Sequence, residues 1–298
     1  MSDALRFETW DVFTDRRFAG NPLAVIFGAD VLSAGAMRSI TREFNYSESV
    51  FILMPEAPDC IARLRIFTPG GELPFAGHPT VGAAAAIARQ GNRQDRMMLE
   101  LPAGRFPLQV GGRGDIRRAE FENPNLPAVR GVGPAPALVE AALGLPEGSV
   151  ATDRHAPRRC GAGIDFCYAA APLRAVEQAR LDTAAWEALD LEGACGVLLY
   201  AAAAPGSGAD WHVRMFGPHI GVAEDPATGS AAAGLPAQML AAGELTDGYH
   251  DWWVEQGIEM GRPARIRVRF EIRSGRFTSL RIGGEAVAVC SGEICWTA

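Results

Sequence analysis

Two segments of this chain repeat each other. One reads Arg65-Ile-Phe-Thr-Pro69-Gly-Gly-Glu-Leu-Pro-Phe75-Ala-Gly77-His78-Pro79, and the other Arg214-Met-Phe-Gly-Pro218-His-Ile-Gly-Val-Ala-Glu224-Asp225-Pro-Ala-Thr-Gly229-Ser230. Both begin Arg-x-Phe-x-Pro. Both pass through a Gly/Pro-rich turn that carries a titratable residue, and both enter an Ala-rich run, Ala83 to Ala86 and Ala231 to Ala233. The two starts lie 149 residues apart, half of the 298-residue length. This spacing reads as an internal duplication, with chemistry placed where two similar halves could face each other.

The apolar pattern supports an α+β fold. Residues 5–13, 23–27, 50–54, 62–67, 97–101 and 106–110 read as strands, with a hairpin at Gly111-Gly-Arg-Gly114. Helices are expected at 34–44, where Met37, Ile40 and Phe44 have helical spacing, and at 80–89, ending near Gly91. In the second half, 138–143, 183–189 and 230–241 read as helices. Residues 166–170, 196–200, 211–216, 252–255, 264–272, 278–283 and 286–289 read as strands. Many strands and few helices without regular βαβ alternation point away from a doubly wound sheet. The proline-rich stretch 121–137 is the expected linker.

Composition excludes several kinds of chemistry. All 28 basic residues are Arg and there is no Lys, so no Schiff-base lysine and no Walker-type phosphate loop can exist. The net charge of −7 disfavours a general nucleic-acid or anionic-membrane binder. The alternating Arg265, Arg267 and Arg269 read as the solvent side of a strand. Six dispersed cysteines without Cys-x-x-Cys fit a reduced cytoplasmic protein, and the five histidines form no ligand motif, so no metal is expected. No signal peptide is apparent, and the apolar run 194–204 is too short to span a bilayer.

The candidate chemistry sits in the two repeated turns and in Asn45-Tyr-Ser-Glu48. Gly77-His78-Pro79-Thr80 and Asp225-Pro-Ala-Thr228-Gly229-Ser230 each precede an Ala-rich helix. The first N–H groups of such a helix lack internal partners and carry the positive end of its dipole, so they can hold a carboxylate or phosphate. Plain capping by Thr80 or Ser230 is the alternative. Glu48, just before an apolar strand, is either a carboxylate made basic by desolvation or a surface turn residue. Asp225 either pairs with His78 or caps its helix. A Ser230/His78/Asp225 hydrolase lacks a Gly-x-Ser-x-Gly elbow, and no dinucleotide-binding Gly-x-Gly-x-x-Gly follows a strand.

Taken together, these residues resemble the PhzF-like family. The resembling stretches are Phe18-Ala-Gly-Asn-Pro22, Asn45-Tyr-Ser-Glu48, Phe67-Thr-Pro-x-x-Glu72-Leu-Pro-Phe-Ala-Gly-His78-Pro, Glu224-Asp-Pro-Ala-Thr-Gly-Ser230 and Glu255-Gln-Gly-x-Glu-Met-Gly-Arg-Pro263. The resemblance implies a diaminopimelate-epimerase-like fold. Its two similar domains would each curl a mainly antiparallel sheet around a central helix, with the site in the cleft. Residues 1–120 would form the first domain, with the last strand at about 287–298 a candidate to complete it, and 121–286 the second.

It also implies a homodimer and a cofactor-free isomerase acting on a small carboxylate substrate, in the phenazine member trans-2,3-dihydro-3-hydroxyanthranilate. By resemblance Glu48 is the general acid/base, and His78, Asp225 and Ser230 complete the polar site. Gly77, Thr228 and Gly229 would hold the substrate. Epimerases of this fold use two facing cysteines; here Ala76 and Pro226 stand near those places. A same-fold epimerase or dehydratase of a hydroxy amino acid, and a small-molecule binder without turnover, are the competing readings.

Overall fold

Both halves of the repeat fold through the same series of strand pairings. A computed structural model describes residues 3–91 and 95–296, and the chain divides into two units, Met1–Glu122 with Gly283–Ala298, and Asn123–Ile282.

In the first unit, β1 (Asp3–Val12) pairs antiparallel with β2 (Asn21–Phe27). Helix α1 (Ala34–Phe44) leads to β3 (Glu48–Leu53), which lies parallel to β2 and antiparallel to β4 (Ala62–Phe67). The short β5 (Glu72–Leu73) folds back on β4, and after α2 (Gly77–Arg89) β6 (Arg96–Leu101) returns parallel to β4. A meander through β7 (Gly104–Arg113) and β8 (Ile116–Glu122) follows.

The second unit opens with β9 (Ala128–Val132), α3 (Pro136–Ala142) and β10 (Arg158–Gly161). It continues through β11 (Asp165–Ala170), α4 (Leu173–Gln178), α5 (Thr183–Trp186), β12 (Val197–Ala202), β13 (Trp211–Gly217) and β14 (Val222–Asp225). Helix α6 (Gly229–Ala241), β15 (Gly248–Gln256) and β16 (Ala264–Arg273) complete it. The pairings β10–β11, β11–β12, β12–β13, β13–β14, β13–β15 and β15–β16 have the same senses, in the same order, as β1–β2 through β6–β7. Strand β17 (Arg276–Trp296) starts in the second unit and ends in the first, where it pairs along β1 from Asp3↔Trp296 to Val12↔Ala286.

The repeated arginines explain why the motif recurs. Arg65 and Arg214 each grip a carboxylate on the strand that folds back, Glu72 and Glu224, through two hydrogen bonds. Each guanidinium also lies over the Phe two residues on, 5.2 Å from the ring centre of Phe67 and 5.0 Å from that of Phe216. The motif is thus a brace that fixes the turn leading to the Ala-rich helix.

Each of those helices is enclosed by its own sheet. Helix α2 touches β1, β2, β3, β4, β7 and β8, and α6 touches β9, β10, β11 and β16. Residues Gly77 to Ala86 are all buried, as are Ala231 to Met239. Strands this close favour Ala and Gly along most of each helix, with larger side chains such as Val81, Leu235 and Met239 at a few positions. The outer faces carry separate cores. Met37 and Ile40 of α1 pack with Ile26, Phe51 and Phe67, while Val139, Val176 and Trp186 pack with Val197, Leu199 and Phe216.

Most expected elements form within a residue or two. The exceptions have local causes. The tight hairpin expected at 111–114 lies a little further on, because Arg113 still pairs with Ile116 and the turn is Gly114-Asp115, with Gly114 at φ 63°. The stretch 121–137 is not an open linker, since β9 lies within it and pairs with β10. The separate 278–283 and 286–289 strands are parts of the single β17, and positions 297–298 of the expected last strand lie outside the described residues. The Arg stripe is a partly exposed face of β16, with Arg267 paired to Asp251.

Gly82 and Gly234 occupy the same position in α2 and α6. A Cβ on Gly234 would lie 2.2 Å from the Tyr168 hydroxyl oxygen and 3.1 Å from the Gly161 Cα, and that hydroxyl donates to the Ala231 carbonyl at 2.7 Å. A Cβ on Gly82 meets only the movable ends of Leu23 and Val12. Gly234→Ala is therefore expected to lower the unfolding free energy by about 1–3 kcal/mol. Gly82→Ala is expected to change it less, because the same gain of about 1 kcal/mol in helix propensity meets aliphatic side-chain ends there rather than a hydrogen-bonded hydroxyl and backbone. Urea unfolding of both variants checks the ranking; an equal or greater loss in Gly82→Ala would contradict it.

Candidate active site

Glu48 is the first residue of β3, and the parallel register Leu23↔Glu48 sets it at the same strand end as Asn21. The Ser47 hydroxyl donates to the Asn21 side-chain oxygen at 3.3 Å. Burial pushes the Glu48 carboxyl above the ordinary carboxylate range, with a hydrogen bond from Ser47 pulling the other way. Glu48 is thus a strand residue with an 18% exposed side chain rather than an exposed turn residue.

His78 reaches this carboxylate from α2. Its Nε2 lies 3.6 Å from Glu48 Oε2, ion-pair distance and slightly beyond a hydrogen bond. Helix α2 begins at Gly77, a turn earlier than the expected Thr80. Pro79 suits that first turn, where a missing N–H costs nothing. The early start makes His78 the second residue of the helix, and its ring is buried.

Neither Ala-rich helix is capped by a side chain. The N-cap of α2 is Ala76, and the Thr80 hydroxyl points back to donate to the Ala76 carbonyl at 2.8 Å. The N-cap of α6 is Thr228, whose hydroxyl donates to the Asp225 carboxylate. Capping by Thr80 or Ser230 is thus set aside. The residue matching Ala76 is Thr228, with Pro226 two positions earlier; none of the three is a cysteine, and all six cysteines are free.

The second unit gathers Asp225, Thr228 and Gly229 around Gln256, the last residue of β15. Gln256 is fully buried. Its amide nitrogen donates to the Asp225 carbonyl at 2.7 Å and to the Thr228 hydroxyl at 3.0 Å, while its oxygen accepts from the Thr228 N–H at 3.0 Å. Next to it, Gly257 sits at φ 76°, where an added Cβ would come within 2.5 Å of the Pro226 and Arg262 carbonyl oxygens. Ser230, half-buried, follows Gly229 in the first turn of α6. Sequence reasoning gave Gln256 no role. The available signal was an uncharged polar residue at the end of a strand just before a glycine.

Within each unit the structure therefore brings predicted residues together: Glu48 with His78 in the first, and Asp225, Thr228, Gly229 and Ser230 in the second. Among the described residues no group of three or more His, Cys, Asp or Glu could hold a metal ion, and no helix is long and apolar enough to cross a membrane.

Residues 10–292 match the family described as phenazine biosynthesis-like protein. The chain is 39% identical over 292 residues to an uncharacterized isomerase of Mesorhizobium japonicum, covering 96% of this chain and 97% of that protein. It is 35% identical over 292 residues to the trans-2,3-dihydro-3-hydroxyanthranilate isomerase of Pseudomonas aeruginosa, covering 97% and 98%. The crystal structure of a PhzF-family protein from Bacillus anthracis superposes with a TM-score of 0.87 at 23% identity, covering 98% and 99% of the two chains. The fold is accordingly the α+β, diaminopimelate-epimerase-like one.

Replacing Gln256 with Leu would leave the Thr228 N–H and the Asp225 carbonyl without their buried partner. The expected loss of stability is about 1–3 kcal/mol for each group left unsatisfied, read by urea unfolding. A neutral variant would show that the turn does not depend on this side chain.

Proposed function

Since the chain belongs to the phenazine biosynthesis-like protein family and is an isomerase of the PhzF type, we propose that Glu48 is the general acid/base of its reaction. The substrate in this reading is a small carboxylate-bearing molecule, trans-2,3-dihydro-3-hydroxyanthranilate or a close relative. The observation that carries the role is the placement of Glu48, partly buried at the start of β3 with its carboxyl pushed upward and His78 at 3.6 Å.

A proton shuttle needs a group that accepts a C–H proton and gives it back at another carbon. Such a group works best when its pKa lies near the working pH, and desolvation moves a carboxylate in that direction. The glutamate takes the proton from one carbon, is held as the neutral acid by its dry surroundings, and returns the proton elsewhere on the same molecule. No lysine or added cofactor is needed for that step. His78, with its ring beside Glu48, orients the carboxylate. Asp225 and Ser230 serve the same reaction as polar site groups. The N–H groups at Gly77 and at Thr228–Gly229 are suited to the substrate carboxylate, because both helix starts lack a side-chain cap. A cytoplasmic homodimer belongs to this reading, and the six free thiols support a reducing compartment.

The test is proton NMR in D2O with trans-2,3-dihydro-3-hydroxyanthranilate, run on the wild type and on Glu48→Gln. The wild type is expected to isomerise the substrate with deuterium incorporation. The variant is expected to bind it but lose about 10²–10⁴ in rate. Undiminished exchange in Glu48→Gln would overturn the assignment.

The pH dependence has a definite sign. A base must be ionised to accept a proton, so the rate should fall as pH drops through the Glu48 pKa. Because burial raises that pKa, the acid limb should lie above the ordinary carboxylate range. A limb at or below that range would contradict the role.

A further inference from the structure

His212, in β13, is clamped between two carboxylates. Its Nδ1 lies 3.0 Å from Glu255 Oε1 and its Nε2 lies 2.9 Å from Glu259 Oε1. The ring is 3% exposed. An ionised carboxylate only accepts, so both ring nitrogens have to donate, and this requires the imidazolium. Burial alone pushes His212 down, but the hydrogen bonds and charges of Glu259 and Glu255 outweigh it and leave the group above its ordinary range. Glu259 is pulled below its own range by His212 and Arg214, against its burial.

Other charged groups face the pair: Arg265 of β16 lies opposite Glu255, with its guanidinium over the Trp253 ring and bonded to the Gly208 carbonyl. Arg214, two residues along β13 from His212, has its Nε 3.9 Å from Glu259 Oε2 and is committed to Glu224 and to the carbonyls of Val176, Glu177 and Ala179. Glu177 and Arg180 line the same cavity of about 580 Å³ as Arg214 and Glu259. Across the other edge of β13, His212 faces the uncharged Ala201 of β12.

Glu255 and Glu259 flank Gln256 and Gly257, the residues that hold the Asp225–Thr228 turn. We propose that His212 is a positioning residue: its charged ring pins both ends of the Glu255–Glu259 segment and so keeps Gln256 seated on the turn that opens α6. In the first unit the equivalent strand position is Arg63, opposite Glu100 in the β4–β6 register, as His212 is opposite Glu255 in β13–β15. Its ion pair runs to Glu56, while Glu100 accepts from the Glu56 and Ala57 N–H groups, so the clamp between two carboxylates is a feature of His212 and not of Arg63. When His212 loses its proton, the neutral ring donates to only one carboxylate, and the other end of the segment is released.

The test is amide hydrogen exchange at Thr228, whose N–H is bonded to Gln256. It is followed by NMR from about pH 6 to about pH 10, beyond the ordinary histidine range, in the wild type and in His212→Arg. After correction for intrinsic base catalysis, the wild type is expected to lose protection by about tenfold or more, as a charge-assisted hydrogen bond is lost. The midpoint should coincide with the His212 titration recorded from its own ring nitrogens. His212→Arg, charged throughout and able to meet both carboxylates, should keep its protection. Constant protection in the wild type, an equal loss in the variant, or a midpoint apart from that of His212 would each overturn the proposal.

The consequence for turnover, an alkaline limb that moves to higher pH in His212→Arg, rests on the Glu48 reaction. The exchange measurement does not, so failure of one is distinguishable from failure of the other.

Discussion

Burial of a whole helix inside a curled sheet is the constraint on which this structure depends. The residues of α2 and α6 have little space around them, so small residues dominate there, with a few larger ones such as Val81, Leu235 and Met239 fully buried among them. A helix of this kind contributes few apolar contacts through long side chains. It is held by close approach of backbone and by what fixes its entry. In the first unit the entry is fixed by the Arg65–Glu72 brace and in the second by Arg214–Glu224, Gln256 and Gly257. Enclosure also removes the usual reason for a side-chain cap, because the residues at both helix starts turn their hydroxyls elsewhere or have none.

The two halves have diverged most where they carry charge. Arg65 is partly exposed, and its pair with Glu72 is of the kind that contributes little, about 0–1 kcal/mol. Arg214 is 7% exposed and satisfies three backbone carbonyls as well as Glu224. Removing it would leave a partly buried carboxylate and those carbonyls without the guanidinium, at a cost approaching the roughly 3–5 kcal/mol of a broken buried pair. The same motif is therefore a surface clasp in one half and a buried anchor in the other. Glu48 and His78 have no counterpart pair in the second unit, where Gly196 and Ser230 stand near the matching places.

The repeat itself was legible from Arg-x-Phe-x-Pro, because the arginine and the phenylalanine each have a fixed local partner. The central helices were legible from their alanine runs. Their starts were displaced by a turn in α2, since Pro79 reads as a stop until it is seen in the one place a helix accepts it. Strand β9 was hidden by the prolines around it. The unity of β17 was hidden by Gly283-Gly284, which reads as a break, although Gly283 allows close packing against Ala119 and Glu120. Gln256 and His212 were invisible for a different reason. Their partners lie 28 to 47 residues away in the chain, and no local pattern records a bond of that reach.

Strand β17 has a consequence for how the chain is made. The unit that begins at Met1 is closed by residues after Gly283, and β1 finds its long partner only in the stretch that ends near Trp296. A ribosome releases the first residues of this unit before the whole of the second unit, and the last ones after it. The second unit, continuous from Asn123 to Ile282, emerges whole before that. The half translated first is thus the half completed last. Until then one edge of β1 is bare of its strand, the condition in which nascent chains pair wrongly with one another.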